Sequence, residues 1–329
     1  MSFQFIPWVT LAKVLGLYLM VLGHMQLVDS NTSAFIYTFH MPLFFILSGM
    51  FTKETNNPTE TGKKLYKKLL LPFLLIASVW CIIYMGLWIK NGIIDLCYWS
   101  NYILGSFISP GKTLGSLHTL KQPLWFLLAL AEIKFIAVFI KNHKLLIIFS
   151  IVCIIIILLL HHFNMILPFA IDSAFFAFPF FAIGKMIRNS FLTESKRIGT
   201  LLLFFLFTGI GTYIIYLING DVDTNNCMYG NYIVLYYLGG FTGSICIFTL
   251  SQIISRFYQA TGPINTLVVG ATLIIGFSGN LSSIIREILP FLGTSNIGGI
   301  AIALLTMAAL YPFILLAQKY FPAILGKRK

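Results

Sequence analysis

The sequence predicts an all-α fold: a polytopic membrane bundle of about ten transmembrane helices, with the N- and C-termini in the cytoplasm. Three observations carry that reading. Of 329 residues, 58% are hydrophobic and only 10% are charged, against about 25% charged in a soluble globular chain. Mean hydropathy is +0.89, and the apolar residues fall in runs near the ~20 residues a membrane helix needs. The basic residues also sort to one side of those runs, as cytoplasmic loops do.

Ten apolar runs give the spans: 6–28, 35–52, 69–90, 123–140, 145–161, 166–187, 198–218, 232–252, 264–280 and 298–317. With the N-terminus inside, sixteen of the 22 Lys and Arg fall at inner loops or inner helix ends, among them Lys53, Lys63, Lys64, Lys67, Lys68, Lys196, Arg328 and Lys329. Lys90, Lys112, Lys121 and Arg286 fall outside, and Lys13 and Lys134 lie within spans. The formal charge of +12 therefore reads as a topology signal and not as a nucleic-acid surface. No polar segment exceeds about 30 residues, too few for a soluble core, so residues 1–329 form one membrane domain. The five cysteines have no metal-ligand spacing, and no metal is expected. Cys97 and Cys227 both fall in outer loops, and spacing alone does not decide whether they pair.

The first run lacks a basic start and a small-residue cleavage site, so it reads as a retained span. It carries two residues that cost several kcal/mol in hydrocarbon, Lys13 and His24. Eleven residues separate them, which on a helix is about 20° of rotation and about 16 Å of rise. A cation and a base thus share one face at two depths. The polar stretch from Lys53 to Lys68, with KKLYKK, reads as an inner loop anchored at anionic lipid. In the second run Pro42 cannot donate a backbone hydrogen bond, so it bends or breaks the helix near its outer end and brings His40 to the level of His24. After the third run comes the longest connection, Asn91 to Gln122.

The fourth run opens on Pro123, Leu124 and Trp125. It holds Glu132 and Lys134, which are two residues apart and do not face each other. The fifth ends at His161 and His162, an outer turn. The sixth starts near Asp172 and ends near Lys185 and Arg188. The outer loop from Asn219 to Asn231 has turn chemistry. Glycines in the last two runs suit close helix packing. No inverted repeat of the transporter kind is visible.

Four segments together resemble acyltransferase family 3, the integral-membrane acyltransferases, most nearly its O-acetylases of bacterial surface sugars. They are WVTLAKVLGLYLMVLGH (Lys13, ten residues, then Gly23–His24), FHMPLFFILSG (Phe39 to Gly49), LWFL (Leu124 to Leu127) and PFFAIG (Pro179 to Gly184). The first two are specific in combination; the others are weak alone. Thr10 stands where the family often has an acidic residue, and Ser278 stands near a position often held by histidine.

The resemblance implies O-acyl transfer from cytoplasmic acyl-CoA, usually acetyl-CoA, to a hydroxyl of an extracytoplasmic or lipid-linked glycan in the bacterial cytoplasmic membrane. A neutral imidazole accepts the attacking hydroxyl's proton, and His24 sits where that hydroxyl would arrive. His40 supports it, or else serves the backbone freed by Pro42. Lys13, Lys134, Lys185 and Arg188 are the candidate donor contacts, a phosphate clamp on coenzyme A. Trp125 stacks on a sugar face or belongs to the interfacial aromatic belt. Asp172 binds sugar hydroxyls or caps a helix. Glu132 is a buried acid in need of a partner, a candidate for the acceptor site. The competing functions are a glycan transporter or flippase, and a non-catalytic membrane protein that keeps the fold.

Overall fold

A computed structural model of the chain describes residues 6–25, 29–52, 57–192, 197–258 and 262–327. Lys53, Lys196, Arg328 and Lys329 of the charge sorting, and positions 26–28 of the first run, lie outside the described residues. The described residues form fourteen α-helices and no strand: α1 (Pro7–Gly23), α2 (Ser30–Tyr37), α3 (His40–Phe51), α4 (Pro58–Leu65), α5 (Leu71–Lys90), α6 (Leu96–Ile108), α7 (Trp125–Ile136), α8 (His143–His162), α9 (Ile171–Leu192), α10 (Ile198–Asn219), α11 (Ile233–Phe257), α12 (Gly262–Val269), α13 (Ala271–Ile288) and α14 (Asn296–Tyr320).

Every one of the ten apolar runs is helical, but they are not ten equal spans. Seven helical stretches are long and apolar enough to cross a membrane, or eight if α12 and α13 count as one span bent by 82°. The other two are short. At 1.5 Å per residue, α1 with 17 residues and α7 with 12 reach roughly 25 and 18 Å, less than the ~30 Å hydrocarbon core.

Two stretches read as connections are helical. Asn57 accepts the Glu60 amide at 3.0 Å, and Pro58 opens α4. Thr61 and Leu65 are buried, four residues apart on one face of α4, which is what makes the polar segment a helix and not a loop. A π-turn over Tyr66–Leu70 carries α4 into α5, so Pro58–Lys90 forms one 33-residue candidate span. The long connection before α7 contains α6, capped by Asp95, whose carboxylate accepts the Tyr98 amide at 3.0 Å.

The second run breaks as expected. Phe39, at φ −138° and ψ −14°, separates α2 from α3. Pro42 then falls in the first turn of α3, where no intrahelical N–H bond is required.

Helix α1 lies at the centre, against α2, α3 and α11 to α14. Helices α3 and α9 make close backbone contact at two glycines. A Cβ on Gly49 would run into the carbonyl oxygen of Phe181, and one on Gly184 into that of Ile46. Dispersion between close backbones, and not water expulsion, holds such helices together in lipid. The bend between α12 and α13 falls at Gly270, where Ile314 of α14 fills the place of a side chain. Cys97 and Cys227 are both free thiols.

Candidate functional site

His24 terminates α1 as its C-cap. Its Nδ1 lies 2.8 Å from the Met20 carbonyl oxygen. A carbonyl only accepts, so Nδ1 carries the hydrogen and donates. Nε2 is left with a free lone pair, which is the tautomer a general base needs. His40 repeats the arrangement: Nδ1 donates to Ile36 O at 3.0 Å, and its buried Nε2 has no partner. Pro42 stands in the first turn of α3, so its missing amide leaves no carbonyl of α3 open. His40 Nδ1 bonds the Ile36 carbonyl, in the helix before the break.

The two imidazoles meet edge to face, with centroids 5.7 Å apart and planes at 86°. Tyr37 packs 5.3 Å from His24 and 4.9 Å from His40. One residue joins both histidines. The Ile36 side chain occupies the space a Cβ on Gly23 would need, with Cγ2 at 2.9 Å from that point. The same residue's carbonyl orients His40. The Gly-His pair therefore has a steric meaning: Gly23 admits Ile36, and Ile36 brings α2 and α3 to His24.

His24 lies at the junction of two cavities. The first, about 150 Å³, also exposes Tyr37, His40, Gln122, Trp125 and Asp223. Gln122 Nε2 donates to Asn280 Oδ1 at 2.9 Å, and its Oε1 is left unpaired. The Asp223 carboxylate accepts the amides of Asn225 and Asn226 and the Asn226 side chain, which fixes the loop that roofs the cavity. The second cavity, about 130 Å³, lies between His24 and α13.

A third cavity, about 260 Å³, holds Lys13 with Lys134, Ser48, Phe44 and Phe126. Lys134 lies within electrostatic reach of Lys13 and Lys68. Two cations that were far apart in sequence thus share one space, and the buried Ser48 Oγ beside them has no hydrogen-bond partner. The third cavity stacks on the first along α3: His40 and Met41 line one, Phe44, Leu47 and Ser48 the other.

The remaining candidates are placed elsewhere. Lys185 and Arg188 sit near the end of α9 and line none of these three cavities. Glu132 likewise lines none of them, and its buried Oε2 has no partner. Asp172 is buried at the start of α9. It forms a buried ion pair with Lys112, Nζ to Oδ1 at 2.7 Å, and accepts the amides of Leu167 and Ser173. The pair borders a separate cavity with Cys227. Burial pushes the Cys227 thiol up to about 12, so it stays protonated and inert.

Gln122, Tyr37 and Asp223 escaped the sequence reading. Gln122 directly precedes the Pro-Leu-Trp-Phe string, which was its only signal. Nothing in the sequence links Lys112 to Asp172, 60 positions away. Among the described residues no group of three or more His, Cys, Asp or Glu is arranged to hold a metal.

Residues 6–319 match the family model described as an acyltransferase domain. No curated protein and no solved structure matches the chain.

Proposed function

Because the chain belongs to acyltransferase family 3, a family of multi-pass membrane acyltransferases, we propose that it is an O-acyltransferase acting on a glycan hydroxyl. The donor is an acyl-CoA, most simply acetyl-CoA, that enters from the cytoplasm at the Lys13 end. The acceptor is an extracytoplasmic or lipid-linked glycan that enters at the His24 end, in a bacterial cytoplasmic membrane. The observation that carries this reading is the His24 tautomer: its Nδ1–H is committed to Met20 O, which leaves Nε2 as the acceptor of a residue that lines two cavities.

The chemistry balances on these groups. A sugar hydroxyl oxygen attacks the thioester carbonyl carbon while His24 Nε2 takes the hydroxyl proton. The tetrahedral intermediate collapses, the C–S bond breaks and the ester forms. The proton held on Nε2 passes to the departing thiolate, giving free coenzyme A. His40, edge-on to His24, keeps the ring oriented. Lys13, Lys134 and Ser48 line one cavity; in this reading the two lysines meet donor phosphates, and the Ser48 hydroxyl donates to a thioester or amide carbonyl. Trp125 offers a ring face to the sugar in the first cavity. Lys185 and Arg188 act at the membrane surface, as inner anchors or as outlying contacts for the nucleotide.

The test is transfer of labelled acetyl from acetyl-CoA by the purified chain in lipid nanodiscs, with mass spectrometry of the glycan product. His24→Ala removes transfer and leaves the fold intact. Transfer that persists in His24→Ala rejects the assignment.

A further inference from the structure

His24 faces two cavities, and acyl transfer as described occupies only one. The second has a volume of about 130 Å³, the room of about four water molecules. Its α13 wall is Gly279, Ser282, Ser283 and Arg286. Steps of three, four and seven residues put all four on one helix face. Nothing lies within 4 Å of the point where a Cβ on Gly279 would stand, so the absent side chain opens the space above the helix.

The polar groups of this wall are unequal. The Ser282 and Ser283 hydroxyls both donate to the Gly279 carbonyl, at 2.7 and 3.1 Å. Their hydrogens are engaged within the helix, and their oxygens remain as acceptors. Arg286 is half-buried, and it has no carboxylate partner among the described residues. Glu287 follows it in sequence but is exposed, about 100° around the helix. Both Asp29 carboxylate oxygens are held by Thr32 and Asn296. An arginine in a last helical turn complements the helix dipole, yet that role needs no cavity shared with a histidine. A guanidinium with five fixed donors, lining a cavity and lacking an acceptor among the described residues, is suited to a planar or tetrahedral oxyanion.

We infer that this cavity is an anion subsite for the acceptor, a conclusion that rests on the acyl-transfer reading of His24. A carboxylate or phosphate carried by the acceptor docks on Arg286. Neighbouring sugar hydroxyls donate to the oxygens of Ser282 and Ser283. The hydroxyl to be acylated is then delivered to His24 Nε2. The anion has two sources, a uronic-acid carboxylate or the phosphate of a lipid-linked sugar, and the same chemistry serves both.

Binding is measured without any requirement for turnover. The full chain in nanodiscs is titrated with methyl β-D-glucuronide, with geranyl phosphate and with neutral methyl β-D-glucoside, by thermal shift and thermophoresis. At least one anion binds roughly 10- to 100-fold more tightly than the glucoside, the value of a charge-assisted contact. Which anion is preferred identifies the source. Arg286→Gln loses the preference, and Arg286→Lys, which keeps the charge, retains part of it. The unliganded melting temperature of each variant shows whether it is folded. Equal binding of neutral and anionic probes, or a preference that survives in folded Arg286→Gln, overturns the subsite. If the anion preference depends on Arg286 and no acceptor is ever acetylated, the subsite stands as an anion site and the acyl-transfer reading fails.

Discussion

Gly49 and Gly184 stand on facing sides of the α3–α9 contact, each against a backbone carbonyl of the opposite helix. Backbone cannot step aside as a side chain can. Gly49→Ala or Gly184→Ala therefore forces the helices apart and costs about 3 kcal/mol, the upper range for overpacking. Gly211→Ala, with open space at the Cβ position, is the control. Thermal unfolding in detergent should show a large fall for the first two and little change for the third.

Lys13 and Lys134 share a cavity, whereas Lys185 and Arg188 do not reach it. Lys13→Met or Lys134→Met should raise KM for acetyl-CoA roughly 10- to 100-fold, the loss of one charge-assisted contact, with a smaller effect on kcat. Lys185→Met and Arg188→Met should change KM far less. Initial rates across donor concentrations decide it, and equal effects at all four positions would remove the distinction between cavity and surface.

Gly23→Ala tests the Ile36 pivot. The added methyl meets Ile36 Cγ2 and displaces the segment that orients His40. A shift of about 1 Å at a catalytic group costs about 10²-fold in rate. The variant should lose kcat with little loss of donor binding, measured by single-turnover transfer and by coenzyme A titration.

The Lys112–Asp172 pair is buried on both sides, with side chains 4% and 5% exposed. Removing one partner strands the other charge, so Lys112→Met costs about 3–5 kcal/mol. The double variant Lys112→Met/Asp172→Leu should recover much of that stability. Melting temperatures of the two single variants and the double variant complete the cycle, and a double variant worse than either single variant would contradict it.

Asp29 gives a pH dependence. The Thr32 hydroxyl, then the Thr32 amide and Asn296, hold its carboxyl below the usual range. A folded value below the unfolded one means that the stabilisation is complete above the unfolded pKa of about 3.9. It is lost as the pH falls through the folded value. Below about pH 4 the wild type should lose stability more steeply than Asp29→Ala, which has no such proton to take up. Melting curves from pH 7 to 3 compare the two slopes.

The helices and the site's axis were legible in the sequence, and the partners that complete the site were not. The apolar runs mark where helices form at all ten places. The Lys13–His24 spacing separates two levels that the structure fills with two different cavities. Pro42 marks the break that brings His40 to His24. What escaped depends on contacts between distant positions. Lys112 meets Asp172, and Gln122 meets Asn280, only once the bundle has formed. The stretch before α5 looked like a loop because its residues are polar; Thr61 and Leu65, facing inward every fourth residue, make it a helix. The lengths of α1 and α7 were overestimated because hydropathy records where a run is apolar, not where its backbone leaves the helix.

The rings of Phe44 and Phe126 pack 5.9 Å apart where the Lys13 cavity adjoins the level of His40. A polar channel through that boundary would join the two aqueous compartments and discharge the ion gradient of any cell that carried the protein. In the acyl-transfer reading proposed above, this aromatic pair is the electrical insulation across which the acyl group is handed.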